Sequence, residues 1–486
     1  MNLDLSKLEH SVAEKMAECC VPSMAITAVR GDEAIYTKCF GYKDLENELP
    51  PDENTVYAIA SLTKAMTATC VGMLVDEGKL SWDVPIVHYL PEFRMYDEFA
   101  GQNMTLRDML SHNTGLPRHD LIWYSKEGCS STKELVEGIR YLKPNKSFRS
   151  LYEYNNLMFT TAGYVIERLT GISWADFIKE RLFKPLGMNS SSTVIEGLSK
   201  ALNKALPYKP GKDFPHNKPV LTEYLDFNGM AACGTVNSTI NDMAKWAAMN
   251  LKKGTYKDKT IISEKTLKEI HTPHTVQRLS APIEEVPINC YGLGWGTRVY
   301  RGHYNITHSG GIDGFSTYIS LLPYNDIGIV ILTNMDNAFV HFAVANTFKD
   351  YILGLPEKDW LAHMKAERGK LLAEADKKNK AIIAARKPDT SPSKKLEDYV
   401  GLYKHKAYGK ISVTLKGGKL HLSYQGLACD LTHNNYDTFD TDLLGDYIKT
   451  LILVRFTLDN EGNVSELHAE LEVAMNGEFI VFNKLD

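Results

Sequence analysis

The 486-residue sequence has no apolar run of about 18 residues, so a membrane-spanning helix is not expected. It has no basic excess either. Its 55 Lys and Arg face 60 Asp and Glu, a formal net charge of −5, which leaves no electrostatic footprint for nucleic acid. The eight cysteines follow no framework spacing, and Cys19 and Cys20 are adjacent, a poor start for a structural disulfide. Such usage suits reduced thiols and a cytoplasmic location. No signal-peptide pattern opens the chain, because Leu5, Leu8, Val12 and Met16 recur at helical spacing between charges. His112 and His119 share one segment, but no second ligand pair stands at metal spacing. Neither a metal nor a cofactor is expected, and no internal repeat is found.

What is present is ordinary for a chain that buries a core: 44% of residues are hydrophobic. Residues 24–30 and 34–41 read as strands around a Gly31-Asp32 turn. Residues 62–77 form an apolar helix stopped by Gly78, and Thr105-Leu-Arg-Asp108 opens another with a capping-box pattern. A helix over 157–170 is closed by Gly171, and Ser173-Trp-Ala-Asp176 caps the next. Strands are predicted at 297–307, 314–322 and 327–332. Strands at both ends with helices between them indicate an antiparallel sheet packed by helices, with a helical insertion.

Composition changes near residue 356. Residues 357–386 read as an exposed, charged helix, and Lys387-Pro-Asp-Thr-Ser-Pro-Ser393 as a linker. Short strands then dominate, at 399–403, 410–416, 419–424, 428–433, 450–458 and 478–482, which predicts a small all-β barrel or sandwich. Cys429 and His433 fall in these strands as packing residues.

Three Ser-x-x-Lys motifs occur: Ser61–Lys64, Ser130–Lys133 and Ser391–Lys394. Chance alone supplies about two in a chain this long. Context separates them, because only Ser61 opens a helix with an apolar body, Ser61-Leu-Thr-Lys-Ala-Met-Thr-Ala-Thr-Cys-Val-Gly-Met-Leu-Val75. Positions i and i+3 share a helix face, so the Lys64 amine can reach the Ser61 hydroxyl. A first-turn serine also sits where N–H groups are unpaired and the dipole is positive, which favours an oxyanion. The hydroxyl needs a base to become a nucleophile, and a desolvated lysine can be that base.

Tyr154-Asn155-Asn156 lies 93 positions after Ser61 and is the one Tyr-x-Asn in the chain. A phenol near a lysine can serve as base or proton relay, and an asparagine amide can donate to a substrate carbonyl. His308-Ser-Gly-Gly311 is the third piece, placed between the strands predicted at 297–307 and 314–322. Small residues there permit close backbone approach, and a backbone N–H can be a second oxyanion donor. Taken singly, each piece also reads as plain structure: a helix cap with a surface lysine, a core tyrosine, a turn with a satisfied histidine.

Together they say more. The order Ser-x-x-Lys, Tyr-x-Asn, His-x-Gly, with spacings of 93 and 154, resembles the class C β-lactamases, penicillin-binding proteins and related serine hydrolases. The resemblance runs through residues 20–350. It includes Tyr57-Ala-Ile-Ala-Ser-Leu-Thr-Lys64, Thr105-Leu-Arg-Asp-Met-Leu-Ser-His112, Gly115-Leu-Pro117, Tyr291-Gly-Leu-Gly-Trp295 and His308-Ser-Gly-Gly-Ile-Asp-Gly-Phe315. The tail, with Tyr399-Val-Gly-Leu-Tyr403 and Asn435-Tyr-Asp-Thr-Phe439, is similar to a small lipocalin-like domain found after some such hydrolases.

The resemblance implies an α/β (α+β) fold: an antiparallel sheet flanked by helices with a helical subdomain, then a small barrel. The expected division is 1–355 for the hydrolase domain, 356–393 for a charged helical linker and 394–486 for the barrel. By similarity Ser61 is acylated, and Lys64 and Tyr154 share the base role. Asn156, His308, Ser309 and Gly310 meet the substrate, and the N–H groups of Ser61 and Gly311 form the oxyanion hole. Trp123 and Tyr124 read first as surface or core residues, with lining of the cleft as the alternative. One departure matters, since the β-lactamases carry a lysine where this chain has His308. Imidazole is mostly neutral at pH 7, so the anchor for a β-lactam carboxylate is weaker. The implied activity is acyl-enzyme hydrolysis of a small ester or a D-amino-acid-containing peptide or amide. An acyltransferase of secondary metabolism and a weak β-lactamase or penicillin-binding protein stay open. The implied partners are such small molecules, with no nucleic acid and no membrane, and a homo-oligomer stays open. The tail is read as either a lid or an oligomerisation module.

Overall fold

The computed structural model describes residues 5–123, 130–193, 195–211, 218–225, 227–278, 283–336, 338–443, 450–475 and 477–485. Strands β1 (Ser23–Arg30) and β2 (Glu33–Gly41) form the hairpin signalled by Gly31-Asp32. Six more follow: β3 (Thr275–Val276), β4 (Asn289–Tyr291), β5 (Gly296–Tyr300), β6 (His303–Ile312), β7 (Phe315–Leu322) and β8 (Ile327–Thr333). They join in one antiparallel sheet, ordered β2-β1-β8-β7-β6-β5-β4-β3. Strands β7 and β8 are buried at every position, as strands covered on both faces must be.

Helices supply the two covers. On one face lie α1 (Leu5–Glu18), α5 (Val340–Leu353) and the start of α6 (Trp360–Ala384). Leu8, Val12 and Met16 of α1 pack there with Ile329, Ile331 and Trp360. The other face carries α2 (Thr63–Asp76), α3 (Asn156–Thr170) and α4 (Ile240–Leu251), which pack with Ile319, Val330 and Leu332 of the sheet. Helix α2 is buried from Thr63 to Leu74, so its apolar residues run all round it, as in a helix enclosed by its neighbours. Helix α3 starts where the Asn155 side chain accepts the Met158 N–H at 3.0 Å, and Gly171 ends it in the left-handed conformation.

One prediction is corrected. Residues 297–307 are not one strand: β5 and β6 flank an Arg301-Gly302 turn, and β6 continues to Ile312. The His308–Gly311 segment therefore lies inside a strand, not between two. Its glycines mark close backbone approach rather than a turn.

The tail is a nine-stranded antiparallel sheet. Its strands are β9 (Gly401–His405), β10 (Gly409–Lys416), β11 (Lys419–Tyr424), β12 (Leu427–Asp430), β13 (Thr432–Asn435), β14 (Thr438–Thr441), β15 (Ile452–Leu458), β16 (Val464–Ala469) and β17 (Ile480–Lys484). The order is β12-β11-β10-β9-β17-β16-β15-β14-β13. Its two edge strands are joined through Leu431, so the sheet nearly closes into a barrel. The predicted strand at 428–433 is thus two, and β14 and β16 were not predicted. Cys429 lies on β12 and His433 on β13. The buried apolar residues of the barrel and of the helical subdomain form one continuous cluster. Among the described residues no helix is long and apolar enough to cross a membrane, and the cysteines are free.

Candidate active site

Ser61 sits in a short 3₁₀ turn, Ala60–Leu62, that runs directly into α2. Lys64, one turn on, is fully buried. Its Nζ donates to Ser61 Oγ at 3.0 Å and to the Cys233 carbonyl at 2.8 Å. That carbonyl is held in place from α2 itself. Thr67 Oγ1 donates to the Ala232 carbonyl at 2.6 Å, and the Val236 N–H donates to Thr63 Oγ1 at 3.2 Å. The other two Ser-x-x-Lys motifs have no such setting. Ser130 is exposed and Lys133 pairs with Glu137, while Ser391 and Lys394 lie on the surface side of the linker.

The turn carrying Ser61 is strained. Ala60 has a left-handed backbone (φ 48°), which costs a non-glycine residue about 1–3 kcal/mol. Strand β6 presses against it. A Cβ on Gly310 would stand 2.3 Å from the Ile59 carbonyl oxygen and 3.2 Å from the Ala60 Cβ. Only glycine permits this approach, and Thr317 Oγ1 donates to the same Ile59 carbonyl at 2.9 Å. Gly310 and Gly311 thus run beside the turn that carries Ser61. Ser309 and Gly311 are exposed, and they alternate along the strand with His308 and Gly310, which are buried.

Behind Lys64 is an aromatic cluster. The Lys64 Nζ lies 5.0 Å from the Tyr154 ring centre and 5.6 Å from that of Phe159. Among the described residues the Tyr154 hydroxyl makes no hydrogen bond. The His112 ring packs on Tyr154 at 4.3 Å and on Tyr291 at 4.7 Å. Tyr291 in turn donates its hydroxyl proton to His308 Nε2 at 2.8 Å, while His308 Nδ1–H donates to the Ser309 carbonyl at 2.7 Å. These two bonds assign the neutral tautomer. Burial, then the Lys64 charge, push the His308 pKa down to about 3, so this position supplies no cation near neutral pH.

Asn156 opens α3, and its Nδ2 donates to Asp120 Oδ1 at 2.8 Å. The same oxygen accepts the Trp123 Nε1–H at 3.1 Å, and Asp120 Oδ2 accepts from Arg118 Nε at 2.5 Å. The Arg118 guanidinium covers the Tyr154 ring at 4.8 Å. Trp123 packs edge-on against Phe227 at 5.2 Å, and Tyr124 lies outside the described residues. Phe227, Tyr224, Ile312 and Phe315 line a small pocket open to solvent, with Asp313 at its wall. Ala58 and Gly234, neighbours of the Ser61 turn and of Cys233, border it too.

Sequence reasoning brought Ser61, Lys64, Tyr154, Asn156 and His308 to the page. It missed the Cys233 carbonyl, Arg118 and Asp120, and it weighed His112 only as a metal ligand. The signal for Arg118 and Asp120 was the charged pair directly after Gly115-Leu-Pro117. His119, also weighed as a ligand, instead hydrogen-bonds the Lys143 carbonyl and the Tyr408 hydroxyl.

A family model described as beta-lactamase matches residues 8–352. The chain belongs to the β-lactamase family. A second model, described as a domain of unknown function (DUF3471), matches residues 385–484 of this β-lactamase-family hydrolase. The chain is 31% identical to an unguisins hydrolase of Aspergillus campestris over 414 residues, 81% of this chain and 74% of that protein. The octameric penicillin-binding protein homologue of Pyrococcus abyssi shares the fold along the whole length. Its TM-score is 0.64 at 23% identity, covering 99% of this chain and 100% of that one. The D-amino acid amidase of Ochrobactrum anthropi SV3, solved with L-phenylalanine amide, has a TM-score of 0.60 at 22% identity. It covers 72% of this β-lactamase-family chain and 99% of its own.

Proposed function

We propose that this β-lactamase-family hydrolase cleaves small D-amino-acid-containing peptides, amides or esters through an acyl-enzyme on Ser61. The observation that carries the reading is the Lys64 amine held between Ser61 Oγ and the Cys233 carbonyl. In its neutral form the amine accepts the Ser61 proton and still donates to Cys233. Ser61 Oγ then bonds the substrate carbonyl carbon, and the carbonyl oxygen takes the negative charge beside the N–H groups of Ser61 and Gly311. The proton on Lys64 passes to the leaving amine or alkoxide, with Tyr154 as relay, and the C–N or C–O bond breaks. Water attacks the ester by the same route in reverse, returning the proton to Ser61.

Two features support the substrate class. His308 is neutral, so nothing in β6 replaces the lysine that holds a β-lactam carboxylate. The pocket bordered by Ala58 and Gly234 has an aromatic wall, Tyr224, Phe227 and Phe315, beside Asn228, Asn237 and Asp313, and that wall suits an uncharged side chain. A relative is named an unguisins hydrolase and a structural neighbour a D-amino acid amidase, the latter an amide-cleaving activity by name. A fluorophosphonate should add mass at Ser61, and equal labelling of Ser61→Ala would overturn the assignment. A panel of acyl esters, D-aminoacyl amides and nitrocefin tests the substrate class. Efficient nitrocefin turnover with no amide or ester cleavage would refute it.

A further inference from the structure

Between the barrel and the cleft lies a short turn, residues 118–122, whose successive residues serve opposite sides. His119 is buried and left-handed (φ 46°). Its Nδ1 accepts the Tyr408 hydroxyl proton at 2.6 Å, and its N–H donates to Glu472 Oε2 at 2.5 Å. The Tyr424 hydroxyl donates to the Leu121 carbonyl at 2.8 Å. Tyr408 and Tyr424 are fully buried, and Glu472 nearly so, its second oxygen accepting the Ala474 N–H at 3.0 Å. These three side chains all come from the barrel domain. Arg118 and Asp120, interleaved with them, face the cleft: one covers the Tyr154 ring, the other holds Asn156. A left-handed non-glycine residue persists only where its surroundings over-determine it, and here the barrel does much of that.

We propose that the barrel is a positioning part of the active site. Tyr408, Tyr424 and Glu472 fix the 118–122 turn, and through Arg118 and Asp120 the turn fixes Tyr154 and Asn156. This rests on the catalytic reading of Ser61, Lys64 and Tyr154 given above. It differs from a lid, which would affect long substrates and spare small ones, and from an oligomerisation module, which would act through mass in solution. The three residues are positioning residues. Misplacing a reacting group by about 1 Å can cost about a hundredfold in rate, so loss of the clamp should slow attack even on a minimal electrophile.

The test uses the full chain and the rate at which a short alkyl fluorophosphonate labels Ser61. Tyr408→Phe and Glu472→Ala should slow labelling by about tenfold or more while the melt stays cooperative. Glu472→Gln, whose amide oxygen still accepts the His119 N–H, should stay within about twofold of wild type. In an Asp120→Ala background Tyr408→Phe should slow labelling less than it does in wild type, because the Asn156 arm of the turn is already lost and only the Arg118–Tyr154 arm is left to disturb. Should Glu472→Ala fail to fold, Tyr424→Phe decides the case, since it removes one hydroxyl only. Wild-type labelling rates in Tyr408→Phe and Tyr424→Phe, or independent multiplicative effects with Asp120→Ala, would overturn the proposal. Failure of the wild-type chain itself to label at Ser61 would instead overturn the catalytic reading.

Discussion

The missing Cβ of Gly310 leaves room for the Ile59 carbonyl oxygen, which a methyl there would approach to 2.3 Å. The contact ties the inner face of β6 to Ala60, the strained residue before Ser61. Gly310→Ala must move the Ala60–Leu62 turn or the strand, and should lower kcat/KM by about a hundredfold. Gly311→Ala, whose Cβ meets nothing within 4 Å, should fold and melt like wild type. Steady-state kinetics and thermal melts of the pair check this. Equal activity in the two variants would count against the close-approach account.

Lys64→Met keeps the length and apolar stem of a fully buried side chain but removes the amine. Its kcat should fall by about 10²–10⁴-fold, the usual worth of a positioned base. Circular dichroism should show retained helix content. A variant that retains most of its turnover would remove Lys64 from the base role.

Burial lowers the pKa of seven of the described histidines. His271, His308 and His341 are pushed down to about 3, His119 and His405 to about 4, His112 well below its ordinary value, and His274 below it too. Each binds a proton more readily in the unfolded chain, so stability is full above about pH 6.5 and falls as pH drops toward these folded values. The slope is about 1.4 kcal/mol per pH unit for each group once below the unfolded pKa. The melting temperature should therefore drop steeply between pH 6.5 and pH 4.5. A flat profile over that window would show that these imidazoles are not buried in the neutral form.

Asn155 stands between the two residues expected to act on substrate and makes three buried hydrogen bonds. Its side chain caps Met158 at 3.0 Å and donates to the Pro117 carbonyl at 2.5 Å, and its N–H donates to His112 Nδ1 at 3.1 Å. Asn155→Ala keeps only the last. The lost cap and an orphaned buried carbonyl should together cost about 2–4 kcal/mol, read from urea denaturation. A loss under about 1 kcal/mol would mean that water replaces the amide.

Local signals carried the sequence reading as far as local physics reaches. The i, i+3 spacing of Ser61 and Lys64 foretells their contact, and Thr105 with Asp108 forms the capping box its pattern describes. Gly310 and Gly311 misled, because a glycine pair has the same signature in a turn as in a strand crowded by another backbone. Strands β14 and β16 escaped notice because Thr-Phe-Asp-Thr and Val-Ser-Glu-Leu-His-Ala are short and at least half polar, and pairing rather than propensity makes them strands. The links from Asn156 to Asp120 and from His119 to Tyr408 join distant segments, and no periodicity in the chain records them.

The His119–Tyr408 bond spans 289 positions and joins the stretches matched by two separate family models. Parts recognised as separate families are commonly taken to be exchangeable in recombination. Here a substitution at Tyr408, Tyr424 or Glu472 changes the surroundings of His119, and a change in the 118–122 turn alters what the barrel must present. The two regions are therefore expected to co-vary across descendants of this chain, and a barrel grafted from a distant relative would have to bring the matching turn with it.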